Sequence, residues 1–317
     1  MKIGLLEPLR VPDTLIEELA APLKEAGHEF IYYNEKTTDV NELAKRSKDL
    51  DIVMIANNPY PKEAFEKATQ LKLINVAFTG VDHVDVKAAA EREILITNAA
   101  GYSNTAVSEL VIGLVIDLYR QISAGDEEIR ADNFPGPFQG KEIKGKTVGI
   151  IGTGNIGLQT ARLFKAFGVE LIAYSRSEKE EAKALGITYM SLDDVMAKSD
   201  IISVHLPQNE ETKGMISREK IALMKDTALL INCARGPIVD NQALADALNE
   251  GQIAGAGIDV FDMEPPLPAD YPLLHAKNAQ LTPHVAYLTD EAMVIRAQIV
   301  FANTMAFIEG HPQNIVG

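Results

Sequence analysis

Short apolar runs alternate along this chain with longer stretches whose apolar residues recur every three or four positions. KIGLLE (2–7), DIVMIA (51–56), LKLINVAF (71–78) and ILITNAA (94–100) have the length and content of buried strands. DTLIEELAAPLKEAG (13–27) and YPKEAFEKATQ (60–70) have helical spacing and lie between them. A long apolar helix is predicted over about 104–124, followed by the Pro/Gly-rich loop DNFPGPFQG (132–140).

A second series then begins. KTVGIIG (146–152) reads as a strand, GNIGLQTARLFKAFG (154–168) as a helix and VELIAYS (169–175) as a strand. SLDDVMAKS, IISVHLP, SREKIALMK, TALLINCARG, NQALADALNEG and AGAGIDVF continue the alternation, and TDEAMVIRAQIVFANTMAFIEG (289–310) reads as an amphipathic helix. Strands alternating with helices predict parallel sheets, so the expected class is α/β with two Rossmann-like domains. The Gly-rich motif lies near residue 150 and not at the start. The expected organisation is therefore a dinucleotide-binding domain, 99–287, inserted into a substrate domain made of 1–98 and 288–317. Chain crossings near Ala99–Gly101 and Val285–Tyr287 and a cleft between the domains follow from that reading.

GTGNIG, Gly152 to Gly157, follows a strand and opens a helix. In that context Gly152 permits the tight turn, Gly154 lets the backbone approach a pyrophosphate, and Gly157 lets the helix pack on the strand. The N–H groups of Asn155 and Ile156 would face the anion at the helix N-terminus. About twenty residues on, an Asp or Glu usually holds the adenine ribose. This chain reads AYSRS instead, with Ser175, Arg176 and Ser177 in that stretch. Losing the acid removes a repulsion, and Arg176 with two hydroxyls can accept a 2′-phosphate. NADP(H) is thus favoured over NAD(H). The competing reading makes Arg176 a solvated loop residue of an enzyme that takes both cofactors, and Glu178, Glu180 and Glu181 weaken a phosphate site.

Three residues fall in separate loops after strands: Arg235, Glu264 and His284. Reduction of a 2-oxo acid calls for these three types. A guanidinium grips a carboxylate with two parallel bonds and polarises the oxo group. A protonated imidazole gives a proton to the carbonyl oxygen as hydride reaches carbon. A carboxylate beside that imidazole orients it and favours its charged form. Each residue alone is more simply a surface or structural group; their order behind the Gly-rich motif is what points to chemistry.

Composition removes several other functions. The net charge of −15 argues against a nucleic-acid partner. No apolar run reaches the roughly 18 residues of a membrane span, and the start lacks a signal peptide's long apolar stretch, so no membrane partner is expected. The one cysteine, Cys233, can form no internal disulfide and supports no Cys-based zinc site, so no metal is expected and a reducing cytoplasm is the natural setting.

The stretches TGVDHVDVKAA, GKTVGIIGTGNIG, SDIISVHLPQNEET, LLINCARGPIVD, GAGIDVFDMEPP and LTPHVAYLT resemble the D-isomer-specific 2-hydroxyacid dehydrogenases, which include glyoxylate and hydroxypyruvate reductases and phosphoglycerate dehydrogenases. The resemblance implies that Arg235, Glu264 and His284 are the catalytic trio. It implies that the backbone of Thr79, Gly80 and Val81 binds the substrate carboxylate, with Arg235 and His284 also on the substrate. It assigns Asp259 to the nicotinamide carboxamide, Thr105 to the nicotinamide side, and His205, Leu206, Pro207 and Thr212 to the adenosine side. Cys233 and Ala234 contact the cofactor through backbone. A homodimer joined through the cofactor domains is also implied, with the helix at 104–124 and the loop to Phe138 as the contact. The chain departs from the family in having no Trp, and Phe134 and Phe138 are the candidates to fill that role. The substituent beyond the carbonyl is left to Tyr102 or Tyr287. Two other functions stay open: a dinucleotide-sensing binding protein like the corepressors of this fold, and a formate dehydrogenase relative, which would favour Gln beside the catalytic His.

Overall fold

The structure is a computed structural model. It describes residues 1–133 and 139–316, so Phe134 and Phe138 lie outside the described residues. The chain divides into two compact units, Met1–Ser103 with Leu288–Gly317, and Asn104–Tyr287.

The first unit holds a five-stranded sheet of β1 (Lys2–Leu5), β2 (Glu29–Tyr32), β3 (Ile52–Ile55), β4 (Leu73–Val76) and β5 (Leu95–Asn98), all parallel, in the order β2-β1-β3-β4-β5. The central strands IVMI and LINV are buried along their whole length, as continuous apolar runs covered on both faces should be. Helix Asp290–Ile308 closes this unit. It is apolar almost all round rather than amphipathic, and it is held by buried amides as well as by packing. Asn75 Nδ2 donates to Val300 O (2.7 Å) and Thr304 Oγ1 (2.9 Å), and Asn303 Nδ2 donates to Asn98 O (2.9 Å). By length and hydropathy this helix could cross a membrane, yet half of it is buried within the fold.

The second unit is a seven-stranded parallel sheet. Its strands are β6 (Thr147–Ile151), β7 (Glu170–Tyr174), β8 (Thr188–Tyr189), β9 (Ile201–Val204), β10 (Leu229–Asn232), β11 (Gly255–Ile258) and β12 (Ala279–Leu281), in the order β12-β11-β10-β9-β6-β7-β8. The order reverses at β6, and ligands of such sheets bind at the carboxyl ends of the strands beside that reversal.

Two further expectations shift. The unit boundary falls at residue 104 rather than 99, because Ala99 N donates to Phe78 O (2.9 Å) and the Tyr102 ring packs on Phe78 (5.9 Å), which ties 99–103 to the first sheet. The long helix at 104–124 is two helices, Asn104–Arg120 and Ile122–Arg130, broken where Gln121 takes φ +52°. Asp117 fixes the break by accepting from Ser123 N (2.7 Å) and Ser123 Oγ (2.8 Å).

Candidate active site

The glycine turn leaves β6 as its spacing requires. Gly152 has φ +99°, and a Cβ there would sit 2.5 Å from His205 O. A Cβ on Gly157 would meet Gly152 O at 2.0 Å, so only glycine lets helix Asn155–Ala166 start this close to the strand. Gly154 is different: nothing lies within 4 Å of its Cβ position. Gly154 is also the N-cap, and it supplies no side-chain bond to the helix start. The first N–H groups of a helix have no partner within it. Space at Gly154 and uncapped donors at Asn155 and Ile156 fit a dinucleotide pyrophosphate. Tyr189, from β8, was not legible as a site residue. Its hydroxyl joins Thr153 Oγ1 (2.9 Å) to the backbone N–H of Lys179 (3.1 Å), bracing the glycine turn against the segment that follows β7.

That segment places Ser175 half-buried and Arg176 and Ser177 in solvent. Arg176 Nη1 lies 3.7 Å from Glu211 Oε2. After β9, His205 Nε2 meets Ser203 Oγ (2.8 Å), and burial pushes the imidazole down to about 3, so it stays neutral. Leu206 packs on the core, and Thr212 Oγ1 donates to Pro207 O (2.6 Å), closing a stiff turn. Thr105 is exposed within the first turn of helix Asn104–Arg120.

The loops after β10, β11 and β12 carry the remaining residues. Asn232 Oδ1 accepts from Ala234 N (3.0 Å) and its Nδ2 donates to Arg235 O (3.0 Å), fixing the backbone on both sides of Arg235. Arg235 Nη1 donates to Ala234 O (2.8 Å). The Cys233 thiol is buried, and burial with nearby Asp259 pushes its pKa far up, which disfavours the thiolate form. Asp259 is fully buried, and burial raises its pKa against the pull of its hydrogen bonds. Its carboxylate accepts from Thr282 Oγ1 (2.6 Å), Val285 N (2.9 Å) and Ala286 N (2.9 Å). Asp259 therefore clamps the loop that presents His284, a task its sequence position did not reveal.

His284 takes φ +54°, a conformation uncommon outside glycine, and its N–H donates to Asp259 O (2.9 Å). Strained backbone held by its surroundings clusters at functional sites. Nδ1 of His284 lies 2.8 Å from Glu264 Oε1 and 3.0 Å from Oε2, and the ring stands edge-on to Tyr287 at 5.5 Å. The structure thus pairs His284 with Glu264 directly. Arg235 is tied to the Glu264 loop through Gly236, whose Cβ position is only 1.9 Å from Phe261 O.

In the first unit, Thr79, Gly80 and Val81 form the turn after β4, with Thr79 O accepting from Asn98 Nδ2 (2.7 Å). Their three backbone N–H groups meet no acceptor among the described residues. Among the described residues there is no group of three His, Cys, Asp or Glu side chains that could hold a metal ion.

Comparison with known proteins identifies the family. Residues 112–286, more than half of the chain, match the family model described as D-isomer specific 2-hydroxyacid dehydrogenase, NAD binding domain. A glyoxylate reductase of Thermofilum pendens is 37% identical over 277 residues, covering 85% of this chain and 81% of that one. A hydroxypyruvate reductase of Blautia hydrogenotrophica is 33% identical over 301 residues, 93% of each chain. Among solved structures, an acyclic imino acid reductase in complex with NADPH and D-Arg superposes with a TM-score of 0.89 at 30% identity, covering all of both chains. A chain that carries the glycine turn of β6 and matches a relative of this family over 93% of its length belongs to the D-isomer-specific 2-hydroxyacid dehydrogenases, and is an NAD(P)-dependent enzyme of that class.

Proposed function

We propose that the protein reduces a small 2-oxo acid to the D-2-hydroxy acid, or runs the reverse reaction, with His284 as acid/base, Glu264 as its partner and Arg235 on the substrate carboxylate. The observation that carries this reading is the His284–Glu264 contact at 2.8 Å. With Nδ1–H donated to the carboxylate, proton exchange with substrate falls to Nε2. In reduction His284 gives that proton to the oxo oxygen, and Glu264 holds the imidazolium that is drawn on. Arg235 polarises the carbonyl and orients the acid. The N–H groups of Thr79, Gly80 and Val81 are donors of the kind a carboxylate takes. When bound, the nicotinamide supplies or accepts the hydride. Asp259 uses three of a carboxylate's roughly four acceptor positions on the His284 loop, which leaves one for a carboxamide N–H. Thr105, His205, Leu206, Pro207, Thr212, Cys233 and Ala234 keep the cofactor contacts that the resemblance implies.

Ser175 and Arg176 support a preference for NADPH, and the buried, unpaired Cys233 suits a cytoplasmic setting. The test is steady-state oxidation of NADPH and of NADH with glyoxylate, hydroxypyruvate, pyruvate and a branched 2-oxo acid. Turnover is expected with at least one acid, at higher kcat/KM with NADPH. Binding of NADPH without turnover of any acid would instead mark a dinucleotide sensor. Glu at position 264, where a formate dehydrogenase favours Gln, speaks against that relative.

A homodimer through the second unit completes the proposal. Helix Ile122–Arg130 buries none of its residues, and Ile122 (55%) and Ile129 (68%) stand exposed on it. A cavity of about 490 Å³ beside it is lined by Tyr119, Ser123, Glu127, Lys141 and Asn278. A second copy of the chain would cover this face. The double variant Ile122→Asp, Ile129→Asp should sediment as a monomer where the native protein sediments as a dimer. A native protein that is monomeric at micromolar concentration would refute this.

A further inference from the structure

Three of the cations near the loop after β7 have a carboxylate partner. Lys183 Nζ reaches Glu178 (2.8 Å) and Glu180 (3.1 Å), Arg162 pairs with Glu181, and Arg176 faces Glu211 at 3.7 Å. The first two pairings set two cations against the three acids that follow AYSRS, which leaves their charge only partly offset. The third is different, because Glu211 comes from the loop after β9. We propose that Glu211 is a resident counter-ion that competes with the 2′-phosphate of NADP(H) for Arg176, so that the chain accepts both cofactors and favours NADPH only narrowly. This rests on the reading above that Ser175 and Arg176 face the adenine ribose.

The backbone fixes where that competitor stands. Asn209 Oδ1 accepts from Glu211 N (2.9 Å) and Thr212 N (3.0 Å), while Thr212 Oγ1 accepts from Asn209 N (2.9 Å) and donates to Pro207 O (2.6 Å). The turn is closed on itself, so the carboxylate can swing but its anchor stays beside Arg176. The pair itself is loose. At 3.7 Å it has no hydrogen bond, and Arg176 (88% exposed) and Glu211 (74% exposed) stand in water. Such pairs are weak and screened by salt. A phosphate brings more charge and three strong acceptors, so it takes Arg176 over. Glu211 must then turn aside while remaining a like charge near the phosphate. An acid directly after β7 would exclude NADP(H) by occupying its place. Glu211 only taxes it, in a graded and salt-dependent way.

The experiment measures the Kd of NADPH and NADH by fluorescence titration without substrate, and kcat/KM for each with a fixed saturating 2-oxo acid, in wild type, Glu211→Gln, Arg176→Gln and the double variant. Glu211→Gln should lower the Kd and raise kcat/KM for NADPH about two- to fivefold, the latter through KM, with the values for NADH nearly constant and the gain smaller at high salt. Most of the gain should vanish when Arg176 is already Gln. If Arg176→Gln weakens NADPH but Glu211→Gln changes nothing, the competition is refuted and the phosphate site stands. If neither variant moves the NADPH/NADH ratio, the phosphate is not read at Arg176 and both ideas fail. A raised KM for NADH in Glu211→Gln would make Glu211 a ribose-hydroxyl acceptor, which also overturns the inference.

Discussion

In the His284→Ala variant, kcat for 2-oxo acid reduction is expected to fall by roughly 10²–10⁴-fold while the Kd for NADPH stays close to that of the native protein. The first half follows from the pairing at the site. Glu264 takes the Nδ1 side of the ring, so Nε2 is the only imidazole atom that can pass a proton to substrate. Without the ring, water must supply the proton. The second half follows from where the cofactor residues sit. The glycine turn is built on β6 and helix Asn155–Ala166, whereas His284 follows β12 on the far side of the sheet order. Alanine at φ +54° is itself strained, so His284→Asn is the companion variant, because Asn tolerates that region better. It should lose activity as fully as the alanine while keeping the loop. Glu264→Gln should lose less, since the amide oxygen can still accept from Nδ1 but carries no charge to hold the imidazolium. Single-turnover rates and NADPH titration check all three. Activity in His284→Asn within tenfold of native would mean that another group carries the proton.

Much of this was legible in the sequence because the signals were long or chemically narrow. The continuous apolar runs of β3, β4, β6, β9 and β10 admit few readings. Gly152, Gly154 and Gly157 between a strand and a helix admit fewer still. The order Arg235, Glu264, His284 placed each residue in a loop after a strand. What failed to show was tertiary. β2, β8 and β12 are too short or too exposed for periodicity to mark them. The break at Gln121 depends on a side-chain bond from Asp117 to Ser123, not on a helix-breaking residue. The shift of 99–103 to the first unit depends on Phe78 meeting Tyr102, two residues that spacing does not relate. For Asp259 the sequence suggests a cofactor contact, and only the folded loop adds the three donors that converge on its carboxylate. Glu211 and Arg176 are thirty-five positions apart in sequence, and no pattern joins them. Gly236 could have been noticed from its place directly after Arg235, but the reason for it is a contact with another loop.

That contact carries the second large effect. Gly236→Ala is expected to lower kcat/KM for the 2-oxo acid by about 10²-fold or more, and to lower the melting temperature, while NADPH still binds. The added Cβ would lie 1.9 Å from Phe261 O, 2.0 Å from Phe261 C and 2.7 Å from Asp262 N. All three are backbone atoms, so no side-chain rotation relieves the clash, and the loops after β10 and β11 must separate. The β11 side resists. Asp262 accepts from Asn241 Nδ2 (2.9 Å) and from the Tyr271 hydroxyl (2.8 Å). Asn241 begins helix Asn241–Glu250, so the Asp262 anchor is set in the core. The β10 side then has to yield, and Arg235 is the residue next to the clash. A displacement on the order of 1 Å between Arg235 and the Glu264–His284 pair is enough to cost about 10² in rate. Overpacking of this kind also destabilises by roughly 1–3 kcal/mol. Gly251→Ala is the control. Gly251 has φ +71° and nothing within 4 Å of its Cβ position, so that variant tests backbone strain without a clash. It should cost stability of about 1 kcal/mol at a helix end and leave kcat/KM unchanged. Equal losses of stability in the two variants with a selective loss of kcat/KM in Gly236→Ala would assign the effect to the position of Arg235. Native kcat/KM in a folded Gly236→Ala protein would show that the loops can part without moving it.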